Sequence, residues 1–367
     1  MTGIEYYNPV NIISGEDCVK NYSDFASFGK RGMIVCGRNS ARISGALDDV
    51  KAAFDKAGIS YTVFDRVEEN PSVETCHFAG SEARDSRAEF ILGIGGGSPL
   101  DAAKAVAVYA ANPQLEPEDI YDHIFANPPL PIYAIGTTAG TGSEATQYAV
   151  LTVRSIENKK SVASPLLFPK IAFLDPNYTN TLPYHTTVST AVDALCHGIE
   201  GYFSKKANPI TEALAEQAIE MMGCGLKELV GGMLDSGLRA RLLYGSTIAG
   251  MVIAGTGTGF VHAMGYPLTY FDGLSHGEAN AYFIADFVEY MSLNRPDKER
   301  KIYSLIGLAN LREFRDLIER AVSLDLCLSR EKVMKYTKIA AKSKNLKNSV
   351  FELREEDVFD LYKQYSR

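Results

Sequence analysis

Long apolar runs, paired cysteines and an excess of positive charge are all missing from this chain. No stretch approaches the roughly 18–20 apolar residues that span a bilayer, because Gly, Thr or His interrupts each candidate. The opening residues, MTGIEYYNPVNII, carry neither a basic region nor a long apolar one, so no secretory signal is expected. Cys18, Cys36, Cys76, Cys196, Cys224 and Cys327 are scattered, with no CxxC pair. That usage predicts small, mostly buried thiols in a reducing compartment, hence a cytoplasmic protein with no membrane partner. Basic residues number 37 against 45 acidic ones, a formal net charge of −8. Such a balance supplies no broad basic surface for a phosphate backbone, which argues against a nucleic-acid partner. What is present is ordinary globular composition, 46% hydrophobic and 22% charged, in 367 residues. That length predicts about two domains.

The first half alternates short apolar runs with amphipathic stretches. Met33–Cys36 reads as a buried strand, followed by a turn at Gly37-Arg38-Asn39-Ser40. Ile43, Leu47, Val50 and Phe54 then recur at helical spacing, with Asn39 or Ser40 available as the cap and Gly58 as the stop. Further strands are predicted at Tyr61–Phe64, Phe90–Ile94 and Ile132–Ile135, separated by helices over roughly 73–88 and 99–111. Strand–helix alternation of this kind predicts a doubly wound, mainly parallel sheet. From Thr186 onward, 187–203, 209–230 and 238–253 show helical periodicity and few strand signals. Pro176–Pro183 is polar and helix-breaking. The expected organisation is an α/β domain over residues 1–183 followed by an all-helical domain over 184–367.

No GxGxxG or Walker pattern occurs, yet two glycine-rich turns follow predicted strands. In Gly93-Ile94-Gly95-Gly96-Gly97-Ser98, the glycines let backbone approach a ligand, and the helix start presents free N–H groups to an anion. Ser98 can cap that helix, Pro99 suits its first turn, and Asp101 favours its positive end. Gly136-Thr137-Thr138-Ala139-Gly140-Thr141-Gly142 follows the next strand. Two such turns at strand carboxyl ends converge on one crevice in a doubly wound sheet. The hydroxyls of Thr137, Thr138 and Thr141 suit a pyrophosphate or ribose there, although strand-end caps use the same residues.

Asp193 and His197 stand four residues apart in an otherwise apolar helical segment, on one helix face. Buried there they need a partner, which is either a mutual hydrogen bond or a metal ion. His262 and His276, both in apolar, glycine-flanked segments, favour the metal. Gly265, Pro267 and Gly273 are expected to break the helix between them. One carboxylate with three imidazoles suits Fe²⁺ or Zn²⁺ rather than Mg²⁺ or Ca²⁺.

Taken together these segments resemble the iron-containing (group III) alcohol dehydrogenase family. Gly95–Lys104 and Thr137–Thr146 resemble its two cofactor signatures, Asp193–Tyr202 its first metal-ligand helix, and His262-Ala263-Met264 with His276-Gly277 its paired histidines. The order of the motifs matches across residues 33–280, and beyond about 290 the resemblance fades. It implies a dehydroquinate synthase-like architecture, with a dinucleotide-binding α/β domain before a helical metal-binding domain. It implies Asp193, His197, His262 and His276 as ligands of Fe²⁺ or Zn²⁺. Gly96, Gly97, Ser98, Asp101, Thr137, Thr138, Thr141 and Thr146 become expected cofactor contacts, joined by Asn70, Lys160 and Leu182. The implied activity is hydride transfer between nicotinamide C4 and a small alcohol or aldehyde at the metal, in a homodimer. Glycerol dehydrogenase, a dehydroquinate synthase-like lyase and a silent nucleotide sensor remain alternatives on the same plan.

Two positions depart from the family. NAD-preferring relatives carry an aspartate at the end of the first strand, where it accepts from the ribose 2′-OH. Here that position is Gly37, followed by Arg38, Asn39 and Ser40, a set that admits a 2′-phosphate and predicts NADP(H) over NAD(H). Four residues after His262, where relatives place a relay histidine, stands Tyr266. A phenol, with a reference pKa of ~10, is the weaker proton relay at neutral pH.

Overall fold

The computed structural model describes residues 4–366. They group into two units, Asn8–Leu182 and the chain from Pro183 onward, and the second also takes in the residues up to Tyr7. Residues 4–7 were expected, with the rest of 1–183, in the α/β domain. Instead the Tyr6 hydroxyl donates to the Met251 carbonyl (3.3 Å) and Asn208 Nδ2 donates to the Glu5 carbonyl (3.3 Å), which ties the segment to the helical unit.

The α/β unit contains β1 (Asn11–Ser14), β2 (Arg31–Gly37), β3 (Ser60–Val67), β4 (Phe90–Gly95), β5 (Ile132–Gly136), β6 (Tyr148–Val153), β7 (Asn158–Ala163) and β8 (Ile171–Leu174). Six of these form one sheet in the order β1-β8-β5-β4-β2-β3, and every pairing in it is parallel. The antiparallel pair β6–β7 was not expected and lies outside that sheet. Strand alternation divides the core between two faces. Met33, Val35 and Ile91 pack with Ala103 and Val106 of the helix Gly97–Ala111. Ile34, Cys36, Leu92 and Ile94 pack on the other side with Leu47, Val50 and Phe54 of the helix Ala46–Ala57. Gly58, at φ +69°, ends that second helix as expected. With both faces covered, the sheet is doubly wound. From β2 the chain steps outward to β3, then returns to β4 on the other side and continues to β5. The switch point, where such sheets bind ligands, therefore lies at the carboxyl ends of β2 and β4.

The second unit is built of the helices Tyr184–Tyr202, Pro209–Val230, Ser236–Thr256, Phe260–Asp272 and His276–Ser292, followed by shorter ones to Lys363. Asn208 starts the second of these, its side chain accepting from the amides of Ile210 and Thr211, with Pro209 suited to the first helical position. Among the described residues no single helix is long and apolar enough to cross a membrane. The expected break at Gly265 and Pro267 is absent: the helix Phe260–Asp272 runs through both and stops at Gly273, where φ is +71°. A proline there removes one backbone donor. In the same turn the Tyr362 hydroxyl donates to the Met264 carbonyl (2.6 Å). His276 then begins the next helix behind Ser275, whose capping box with Glu278 fixes its first turn.

Candidate functional site

The turns after β4 and β5 meet at the switch point. Gly95 pairs with Gly136 in the sheet, and the Thr137 amide donates to the Gly95 carbonyl (2.9 Å). A Cβ on Gly96 would lie 2.8 Å from Thr138 Oγ1, and one on Gly97 2.6 Å from Thr141 Cγ2, so both positions need glycine for the turns to touch. Gly96, and not Ser98, occupies the cap position of the helix Gly97–Ala111. Ser98 Oγ instead accepts from the Asn70 amide (3.0 Å), and Asn70 is held at φ +55°. Thr137 Oγ1 is buried with no hydrogen-bond partner among the described residues. The helix start thus presents backbone donors beside a hydroxyl that needs a partner, an arrangement suited to a pyrophosphate.

Other expected contacts are engaged within the protein. Asp101 accepts from Ser143 Oγ (2.5 Å) and from the Val150 amide (2.9 Å), which ties the helix to the second turn and to β6. Thr146 Oγ1 accepts from Lys104 Nζ (3.2 Å). Lys160 lies with its ammonium 4.2 Å from the Tyr121 ring centroid, and it is the neighbouring Lys159 whose ammonium reaches Asn70 Oδ1 (2.7 Å). The two side chains alternate along β7, so only one can face Asn70. Leu182 closes the α/β unit, its amide donating to Thr179. Gly37 ends β2, and a Cβ there would meet nothing nearer than the Val67 carbonyl oxygen at 3.6 Å. Arg38, Asn39 and Ser40 are exposed beside it. Arg42 pairs with Asp65 (2.6 Å), whereas Arg38 has no ion-pair partner among the described residues.

In the helical unit the four expected ligands converge. The Nε2 atoms of His262, His276 and His197 lie 3.5, 3.8 and 4.0 Å from Asp193 Oδ1. One ligand atom from each of Asp193, His262 and His276 lies within 4.8 Å of the others. The His197 ring stacks on His262 at 4.6 Å between centroids. Around a first-row dication with bonds of about 2.1 Å, tetrahedral ligand atoms sit roughly 3.4 Å apart. The observed separations are close to that. His262 Nε2, buried without a hydrogen-bond partner, is the atom such an ion would satisfy. Burial disfavours the Asp193 carboxylate, but the charges of His197, His276 and His262 outweigh it and hold the group well below the usual carboxylate range.

Three residues escaped the sequence patterns. Glu200 is 1% exposed and hydrogen-bonded to His262 Nδ1, and it also accepts from the His262 amide (3.3 Å). Its position, seven after Asp193 and three after His197, repeats the helical face of the ligands and was the available signal. Asn280 Nδ2 donates to Asp193 Oδ1 (2.9 Å), and a Cβ on Gly265 would collide with the Asn280 amide. Lys104 is buried and donates to Ser143 Oγ (2.7 Å), the Ser143 carbonyl (2.8 Å) and the Tyr148 carbonyl (2.7 Å), fastening the second turn to the helix of the first. Burial lowers its pKa to about 8, partly offset by Asp101.

The α/β unit is doubly wound, with a switch point suited to an anion, and the helical unit carries an Asp–His cluster suited to a metal ion. The sequence profile "Iron-containing alcohol dehydrogenase" matches residues 9–176, and "Fe-containing alcohol dehydrogenase family, C-terminal" matches 187–366. The chain belongs to the iron-containing alcohol dehydrogenase family, whose members are metal-dependent, NAD(P)-linked alcohol dehydrogenases and aldehyde reductases. The second match shows that the family continues through the C-terminal helices, where the sequence offered no motif. The chain is 34% identical over 286 residues to the 1,3-propanediol dehydrogenase of Klebsiella pneumoniae, covering 76% of this chain and 72% of that one. It is 34% identical over 302 residues to the NADPH-dependent butanol dehydrogenase of Clostridium saccharobutylicum, covering 81% and 76%. Its fold resembles an iron-containing alcohol dehydrogenase of Thermotoga maritima at a TM-score of 0.92, with 37% identity and 99% of each chain covered.

Proposed function

We propose that this oxidoreductase interconverts a small alcohol and its aldehyde with NADP(H) in preference to NAD(H), at Fe²⁺ or Zn²⁺ held by Asp193, His197, His262 and His276. The observation that carries the metal reading is the approach of three imidazole Nε2 atoms to one Asp193 oxygen, at 3.5–4.0 Å. When bound, the ion supplies Lewis acidity toward the substrate oxygen and the dinucleotide supplies or accepts the hydride.

The chain's own residues do the rest. Backbone amides at Gly97 and Ser98, with the Thr137 hydroxyl, hold the pyrophosphate. Exposed Arg38 and Ser40 take the 2′-phosphate beside Gly37, where a side-chain carboxylate would repel it. The resemblance to an NADPH-dependent butanol dehydrogenase supports that choice. Asn280 holds the Asp193 carboxylate in place. Tyr266, whose ring lies beside His276, offers a hydroxyl for proton passage, acting as a hydrogen-bond donor rather than a base. All six cysteines are unpaired, in keeping with a cytoplasmic location. A homodimer is carried over from the family resemblance.

The test is reduction of a panel of short aldehydes by metal-loaded protein with each cofactor. The expected result is a higher kcat/KM with NADPH. Equal values with NADH would remove the reading of Gly37 and Arg38, and no reduction of any aldehyde would remove the dehydrogenase reading.

A further inference from the structure

Glu200 lies wholly inside the helical unit, with its side chain 0% exposed. Among the described residues no lysine or arginine pairs with it, and its ion-pair partner is His262. An uncompensated carboxylate in such a place costs several kcal/mol. Both of its oxygens turn to one residue, one to His262 Nδ1 and the other to the His262 amide (3.3 Å). Because a carboxylate only accepts, Nδ1 carries the hydrogen, and the lone pair of the neutral ring is left on Nε2. That nitrogen is the one 3.5 Å from Asp193 Oδ1.

We propose that Glu200 is a positioning residue for the metal centre: it locks His262 as an Nε2 ligand and brings the centre to two negative charges. Asp193 and Glu200 together then balance one dication, with the three imidazoles neutral. This rests on the metal reading above. A carboxylate behind a ligating histidine raises its basicity and fixes its rotamer, and losing such a partner typically costs about 10–100-fold in metal affinity.

The experiment measures Zn²⁺ affinity by chelator competition for the wild type and Glu200→Gln, after metal removal. Glutamine keeps the size and a carbonyl acceptor for Nδ1–H but removes the charge. The expected result is a Kd about 10–100-fold weaker for the variant. Equal affinities would overturn the role of Glu200 while leaving the metal site intact. Wild-type protein that binds no Zn²⁺ would overturn the metal reading itself, and this inference with it. Should Glu200→Gln fail to fold, ¹⁵N-histidine spectra of Zn²⁺-loaded wild type decide the matter. His262 is expected to show a protonated Nδ1 and a metal-bound Nε2, and an unprotonated or metal-bound Nδ1 would overturn the proposal.

Discussion

The Tyr266 ring lies almost parallel to the His276 imidazole, with 5.5 Å between centroids and 11° between planes. The contact is between ring faces, which phenylalanine would keep. A substrate oxygen next to a Lewis acid needs no strong base, so the phenol's contribution should be small. Tyr266→Phe is expected to lower kcat by less than about tenfold, whereas loss of a true general acid or base costs about 10²–10⁴-fold. Steady-state kinetics at neutral pH distinguish the two. A loss of a hundredfold or more would make Tyr266 a general acid or base rather than a hydrogen-bonding hydroxyl.

At the end of β2, space rather than charge is the invitation. The nearest atom to a Cβ on Gly37 would be 3.6 Å away, in ordinary contact, so Gly37→Asp should fold without strain. Its carboxylate would meet the ribose hydroxyl of NADH and repel the 2′-phosphate of NADPH. The ratio of kcat/KM for NADPH to that for NADH should fall at least tenfold, about 1.4 kcal/mol. Arg38→Ala should lower the NADPH value alone. An unchanged ratio in both variants would place the 2′-phosphate elsewhere.

Gly277 follows His276 and faces the Asp193 helix. A Cβ there would collide with the backbone carbonyl oxygen of Ser189, which cannot rotate away. Gly277→Ala should therefore cost about 1–3 kcal/mol of stability and weaken Zn²⁺ binding by moving His276. Thermal melts and Zn²⁺ titration check this, and unchanged values for both would show that the two helices separate freely.

Much of this arrangement is legible in the sequence where a local period or spacing carries it. Apolar runs ending in glycine mark β2, β4 and β5, and the spacing of Asp193 and His197 marks a ligand face. What escapes depends on partners far along the chain. Glu200 needs His262, 62 residues on, and Asn280 lies 87 residues from Asp193. Pro267 reads as a helix breaker, yet packing carries the helix through it, with a hydroxyl from Tyr362 in the same turn. In the β6–β7 pair a lysine run, Lys159-Lys160, obscures the strand alternation. Its register also decides which of the two lysines faces Asn70.

Metal-free protein should carry a pH signature. Burial works against a charged His262, but Glu200 and Asp193 outweigh it and raise its pKa from 6.5 to about 10. A base held more tightly in the folded state adds stability that is fully present below the unfolded value near 6.5 and lost as pH rises through the folded value near 10. The thermal midpoint of metal-free wild type should fall across that window. Glu200→Gln should flatten the slope, and so should saturating Zn²⁺, which takes the place of the proton on Nε2. A wild-type midpoint that stays level without metal would contradict the pairing.

The central claim is that turnover depends on an ion held by Asp193 and the three histidines. The direct measurement strips the protein of metal, verifies its absence by elemental analysis, and follows NADPH-dependent aldehyde reduction before and after adding Fe²⁺ or Zn²⁺. The account predicts no turnover in stripped protein, recovery with one ion per chain, and neither binding nor recovery in His262→Ala or His276→Ala. Undiminished turnover in verified metal-free protein would contradict it.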